Sequence, residues 1–328
     1  MTSKTINIKY LTRVEGEGAL YLKIRQSKVE ELRLKIFEPP RFFEAFMRGR
    51  KFTEAPDITA RICGICPVAY QMSSVHAMED AVGLQMPDHI KALRRLLYCG
   101  EWIESHGLHV FMLSAPDFLG YQDAIAMARD HKGIVERGLR LKKAGNTLVS
   151  IIGGREIHPI NVRVGGFYKM PDRQRLLEVR EELLWARDAA VATYKWAETF
   201  SYPQLTVPVT YVSLVEENAY PFCDGKITSS HGLSIAHREY EDHFYEEHVP
   251  YSNALHARLK DGGGTYLTGP MARVVLNRDH LTPAARELAD RSGFWQDARN
   301  PFRAILARCI EIIQACEEGA EIIRDYDE

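Results

Sequence analysis

Cys63 and Cys66 stand three residues apart in Arg61-Ile62-Cys63-Gly64-Ile65-Cys66-Pro67. On a helix, or at a helix entrance, that spacing turns both sulfurs to one side. Thiolates are soft ligands that suit zinc, nickel, copper(I) or iron. Gly64 lets a ligand or a second backbone come close. Arg61 brings a cation that favours a thiolate or an anionic group at a metal. A C-x-x-C pair alone supports a metal or redox task about as well as it supports two buried cysteines or half a zinc knuckle. A zinc knuckle needs two more ligands at a set distance, yet the chain has no second C-x-x-C, and the nearest downstream histidine is His76. A thioredoxin-like dithiol would follow a βαβ pattern, which the surrounding sequence lacks.

A second acidic feature is Leu11-Thr12-Arg13-Val14-Glu15-Gly16-Glu17-Gly18. Glycine and acidic residues are ordinary turn formers, so a polar link between strands is expected; the functional alternative is a positioned carboxylate that moves protons. The other cysteines favour plain packing. Cys309 and Cys316 share an apolar helical stripe and are expected in the core, and Cys99 and Cys223 are isolated. His231, His237, His243, His248 and His256 are interleaved with Glu and Tyr and are expected on a solvated surface.

The elements that must carry these residues change along the chain. Leu20, Leu22 and Ile24, then Leu32, Leu34 and Ile36, alternate with polar residues across Gln26-Ser27-Lys28, which is a hairpin pattern. Helical character is expected from Asp57 to about Ala81. A long helix capped by Asp88 follows, with Gly100 and Gly107 on its apolar face implying a close neighbour. Pro116 is expected to interrupt that helix. Further helices are expected over about 121–150, ending at Gly153-Gly154, and from Pro171-Asp172 to about Ala197. Leu205–Val212 is expected as a strand with Pro208 at an edge or bulge, Asp224-Gly225 as a hairpin turn, and Gly262-Gly263-Gly264 as a loop. A final helix follows Pro301, with a stripe from Phe302 to Ile323. The expected class is α+β, predominantly α: a helical-bundle core with peripheral antiparallel β-structure. It forms one domain over 1–328, with a β-rich part at 1–56, a helical core at 57–200, a β-containing insertion at 201–270 and a helical end at 271–328.

Composition narrows the function classes. The 328 residues carry 42 Lys+Arg against 44 Asp+Glu, a net charge of −2. That gives no support to a broad nucleic-acid surface. With 45% hydrophobic and 26% charged residues a folded core is expected. No apolar run approaches the ~20 residues of a membrane span. The N-terminus has neither a secretory hydrophobic stretch nor a twin-arginine pair, so a cytoplasmic protein is expected. Six cysteines are too few for a disulfide scaffold.

Taken in order, several motifs resemble the large subunit of nickel-iron hydrogenases. They are Thr12-Arg13-Val14-Glu15-Gly16, Arg41-Phe42-Phe43-Glu44, Arg61–Val68, Ser105-His106, Ala115-Pro116-Asp117-Phe118, Gly153–Pro159 and Leu267–Val274. They span nearly the whole chain. Cys66-Pro67-Val68-Ala69-Tyr70 is similar to the cytoplasmic bidirectional group often called sulfhydrogenases. The resemblance implies reversible hydrogen oxidation and proton reduction, with Cys63 a terminal nickel ligand and Cys66 a bridge between nickel and iron. It implies Glu15 as the carboxylate that passes protons and Glu44 as a ligand of magnesium, a hard ion that prefers oxygen. Arg61, His106 and Asp117 would orient ligands and tune the potential, and His158 would belong to the buried polar framework.

The resemblance also implies partners: an iron-sulfur small subunit that carries electrons away, and flavin or NAD(P)-binding subunits leading to a soluble carrier. The family uses a further C-x-x-C near its C-terminus, which these residues do not contain, so only two of four expected cysteine ligands are present. Tyr70 and Glu17 stand where histidine is common in the family. A separate chain supplying the second pair, a truncated C-terminus, and a paralogue acting as a non-catalytic assembly subunit are the three readings of that departure.

Overall fold

A computed structural model describes residues 3–14, 16–39, 41–260 and 264–327. The chain divides into two compact units, one of Met1–Gly49 with His237–Tyr266 and the other of Arg50–Ala236 with Leu267–Glu328. This division cuts across the boundaries expected from sequence, because the later half of the 201–270 segment joins the N-terminal strands.

In the first unit, β1 (Ser3–Ile8), β2 (Gly18–Arg25) and β3 (Lys28–Ile36) form an antiparallel sheet in that order. The β2–β3 turn is set by Gln26 and Ser27, both at positive φ (51° and 60°), the twist that a tight hairpin needs. Between β1 and β2, Glu17 N donates to the Glu38 carboxylate at 2.6 Å. Helix α1 (Arg41–Met47) follows and carries Glu44 in its first turn.

The second unit opens with short α2 (Ala55–Thr59), then α3 (Pro67–Val82) and α4 (Asp88–Leu108). The cap of α4 is Pro87 and not Asp88, which occupies the first helical position. Pro116 does not break the run. A π-helical turn, His109–Ser114, leads into α5 (Ala115–Leu119) with Pro116 in the first turn, where a missing N–H costs nothing. Short α6 (Ala124–Met127) precedes α7 (Lys132–Gly153), then a small β4 (Val162–Arg163) and β5 (Gly166–Phe167) ladder. Helix α8 (Arg173–Glu198) is capped by Asp172, whose carboxylate accepts from Arg175 N at 2.8 Å.

The strand expected from Leu205 begins only at Thr210. Pro208 has no N–H for a ladder, and Val207 N instead donates to Arg299 O at 3.2 Å. Strands β6 (Thr210–Val215), β7 (Lys226–Ser229) and β8 (Ser234–Ile235) pair antiparallel, and residues 216–225 make a longer link than the tight turn expected at Asp224-Gly225. Short α9 (Tyr240–His243) and the β9 (Phe244–Glu247) and β10 (His256–Leu259) ladder belong to the first unit. There Asn253 N donates to Ile36 O at 2.9 Å and ties this segment to β3. Gly262 and Gly263 lie outside the described residues.

Helices α10 (Pro270–Leu276), α11 (Pro283–Arg291) and α12 (Ala304–Asp325) return to the second unit. Its core is a four-helix packing: α12 lies against α8 and α4, and α4 against α7. Ile305, Leu306, Ile312, Ile313 and Ile323 of α12 are fully enclosed, each such side chain contributing roughly 1.5–3 kcal/mol relative to exposure. Cys309 and Cys316 are buried among them, as expected, and burial pushes the Cys309 thiol up to about 12. Gly100 on α4 and Gly145 on α7 make the close approach anticipated for the first of them: a Cβ on Gly145 would stand 2.5 Å from Gly100 O. Gly107 has ordinary contact distances to α7.

Candidate metal centre

Cys66 is the N-cap of α3 and Cys63 lies in the turn before it, so the pair occupies a helix entrance, as expected from its spacing. Pro67 takes the first helical position, where proline fits. The two Sγ atoms are 2.7 Å apart, both thiols are reduced and both are half-buried. Cys63 Sγ accepts the backbone N–H of Ile65 (3.3 Å) and of Cys66 (3.2 Å). Hydrogen bonds to sulfur, together with the positive end of the α3 dipole, favour negative charge here.

The remaining orphan N–H groups of the α3 entrance go elsewhere. Val68 N donates to Glu101 Oε2 at 2.6 Å and Ala69 N to Glu101 Oε1 at 3.2 Å. Pro67 has none to give, so from Ile65 to Ala69 every backbone N–H is taken, two by a sulfur and two by a carboxylate. Glu101 comes from α4 and is enclosed, at 4% exposure. Burial pushes its carboxyl up to about 8; repulsion from Glu104 and Cys63 adds to this, and the two α3 donors pull against it.

The turn is held at its other end as well. His158 Nδ1–H donates to Ala60 O at 2.6 Å, and Arg155 Nε donates to His158 O at 2.7 Å. Ile157 approaches Gly64, with its Cγ2 3.8 Å from where a Cβ on that glycine would stand. Gln71 of α3 donates to Pro159 O at 2.8 Å. The Gly153–Pro159 motif therefore braces the cysteine turn. Farther along α3, Glu79 accepts both ends of the Arg94 guanidinium, at 2.6 and 2.8 Å, and Gly165 N at 2.8 Å. Burial works against the Glu79 charge, but Arg94 and Gly165 hold its pKa below the usual value.

The other expected site residues are placed as follows. Arg61 is exposed, and its charge acts on Asp57, whose carboxyl is raised by burial against the pull of Arg61 and Arg155. His106 is buried on α4 about 7 Å of helix rise beyond Glu101. Its Nε2–H donates to Glu311 Oε2 at 2.8 Å. Glu311 also receives both Arg273 nitrogens (2.6 and 2.7 Å) and the Tyr220 hydroxyl (2.8 Å). Burial opposes its charge, but Arg273 and His106 hold the carboxyl down at about 2. His106 itself is lowered by burial despite Glu311, so the ring is neutral at pH 7. Asp117 is exposed in the first turn of α5. Glu44 is exposed on α1 in the first unit, and Glu15 lies outside the described residues.

Glu101 went unmarked in the sequence. Its signal was present: Leu93, Leu97 and Glu101 follow one another at four-residue spacing, which places a carboxylate on the buried stripe of α4. Glu311, four residues from Ala307 and four from Ala315 on α12, carries the same signal.

A nickel-iron group can be tested against this donor set. Two adjacent soft sulfurs at a helix entrance, with N–H donors around them, fit as part of a nickel ligand set. Among the described residues no group of three or more His, Cys, Asp and Glu side chains is gathered as a metal site.

Residues 41–137 match the family model described as nickel-dependent hydrogenase. The chain is 35% identical to the sulfhydrogenase 1 subunit alpha of Pyrococcus furiosus, over 97% of its own length and 74% of the relative's. It is 28% identical to the NAD-reducing hydrogenase HoxS subunit beta of Cupriavidus necator, over 99% and 74%. Its fold superposes on a crystal structure of an NAD+-reducing [NiFe]-hydrogenase in the H2-reduced state, with TM-score 0.86 and 26% identity over 98% of this chain and 78% of that one. This chain belongs to the nickel-dependent hydrogenases, as a large-subunit member of that family of multi-subunit oxidoreductases acting on hydrogen.

Proposed function

We propose that Cys63 and Cys66 are two of the sulfur ligands of a nickel-iron centre at which hydrogen is oxidised or protons are reduced. One observation carries this reading: two sulfurs 2.7 Å apart at the start of a long helix, one of them accepting two backbone N–H bonds. When bound, such a centre supplies heterolytic cleavage of hydrogen. The chain's own residues do the rest. Ile65 and Cys66 N–H groups stabilise negative charge on Cys63 Sγ. His158 holds the turn at Ala60. Arg61, His106 and Asp117 tune the surroundings, with His106 acting through the Glu311–Arg273 pair. Glu15 is the proposed proton acceptor, since splitting hydrogen heterolytically requires one. Glu44 is the proposed magnesium ligand.

In this reading further metal ligands come from a separate chain or from a segment beyond these residues. Electrons leave through an iron-sulfur small subunit towards flavin or NAD(P)-binding subunits and a soluble carrier in the cytoplasm. Among the described residues no helix is long and apolar enough to cross a membrane. The test is metal analysis of the purified complex. Nickel and iron are expected in the parent protein and a large loss of nickel in Cys63→Ser; equal nickel in both sinks the reading. A second reading is a non-catalytic assembly subunit. Its Cys63→Ser variant would assemble and act as the parent does.

A further inference from the structure

We infer that Glu101 is a positioning residue for the Cys63–Cys66 pair, acting through the N-terminus of α3; the inference rests on those cysteines being metal ligands. Three observations carry it. First, Cys66 is the N-cap of α3, yet no side chain at that position caps the helix. The capping is done by Glu101 from α4, with one carboxylate oxygen on each of the Val68 and Ala69 N–H groups. Second, an enclosed carboxylate on an apolar helix stripe is costly, and its two bonds are both spent on this turn. Third, the clamped turn is the one that sets the sulfurs: next to the Val68 and Ala69 donors held by Glu101, Ile65 N and Cys66 N donate to Cys63 Sγ, and the Cys66 Sγ meets it at 2.7 Å.

Truncating the clamp lets the first turn of α3 fray. The N-cap residue is itself one of the two sulfur donors, so fraying moves a ligand. A glutamine at 101 keeps one oxygen that can accept from Val68 N but turns its NH2 towards Ala69 N–H, and two donors cannot bond. The two variants thus separate loss of the whole clamp from loss of its Ala69 contact alone.

The experiment is hydrogen–deuterium exchange at Val68 and Ala69, with nickel per folded chain, in the purified protein and its Glu101→Ala and Glu101→Gln variants. In Glu101→Ala both amides should exchange roughly tenfold or more faster, and nickel per folded chain should fall by about half or more. In Glu101→Gln, Val68 should stay protected, Ala69 should not, and nickel should be intermediate. Unchanged exchange in Glu101→Ala overturns the inference. So does full nickel per folded chain at a lowered melting temperature, because a merely structural residue would behave that way. Should Glu101→Ala fail to fold, Glu101→Gln decides alone: selective loss at Ala69 supports the clamp and unchanged protection at both amides overturns it. If Cys63→Ser keeps its nickel, the metal reading fails while the exchange result still reports on the clamp.

Discussion

His158 Nδ1–H donates to the carbonyl oxygen of Ala60 at 2.6 Å, and His158 holds this bond at a backbone φ of +52°. Positive φ costs a non-glycine residue roughly 1–2 kcal/mol. The strain is maintained by its contacts: Arg155 donates to the same residue's carbonyl, and Pro159 O accepts from buried Gln71.

His158→Ala keeps the strained backbone and loses the bond. It should destabilise the second unit by about 1–2 kcal/mol and open residues 60–66 to proteolysis. His158→Gly relieves the strain while losing the same bond, so its stability should fall less. Denaturant midpoints with limited proteolysis check this; equal midpoints for the two variants contradict it.

Glu311 makes stability depend on acid. Its folded carboxyl lies at about 2 against an ordinary 4.5. A depressed carboxyl contributes stability that is full above about pH 4.5 and is lost as the pH falls from there towards 2, on the order of 3 kcal/mol in all. His106, lowered from 6.5, acts in the same direction but nearer neutrality, because the unfolded chain takes up its proton first. Glu311→Gln should leave Arg273 without its charge partner, cost about 3 kcal/mol at pH 7 and flatten the acid limb. Melting temperatures of parent and variant from pH 7 to 3 measure it, and parallel curves would contradict it.

Gly145→Ala should be among the more damaging alanine substitutions in the chain. The added methyl would stand 2.5 Å from Gly100 O and 2.6 Å from Glu104 N, so backbone would have to shift. Overpacking of this kind costs typically 1–3 kcal/mol. Gly133→Ala on the same helix meets nothing within 4 Å and serves as the control. Chemical denaturation of both checks the contrast.

Arg94 and Glu79 form a two-pronged pair at 2% and 6% side-chain exposure. Removing one partner leaves a buried charge alone, so Arg94→Met should cost about 3–5 kcal/mol. The double variant with Glu79→Gln should recover much of that loss. A double-mutant cycle by urea denaturation gives the coupling, and strictly additive losses would argue against it.

Much of the scaffold is legible in the residues. The β2–β3 hairpin follows from alternation across a polar link, and α8 from Asp172 and its leucine- and alanine-rich run. The close approach at Gly100 follows from a costly glycine on an apolar face. Two of the misreadings share one cause, that proline is judged by its position in an element and not by its presence. Pro116 falls in a first helical turn and leaves the chain helical, whereas Pro208 sits where a ladder N–H is needed and delays β6 to Thr210.

At the site, the sequence by itself determined that two sulfurs would share one helix entrance, because spacing and Pro67 impose that locally. Their family likewise rests on an ordered series of motifs. Only the tertiary structure decided which groups hold that entrance. Glu101 is 33 residues beyond Val68 and Ala60 is 98 residues before His158, and neither helical periodicity nor turn chemistry reaches so far. Those partners meet because α4 packs beside α3 and α7 beside α4, bringing the Gly153–Pro159 turn back to the cysteines. Packing of distant helices, not local preference, satisfies the last backbone donors.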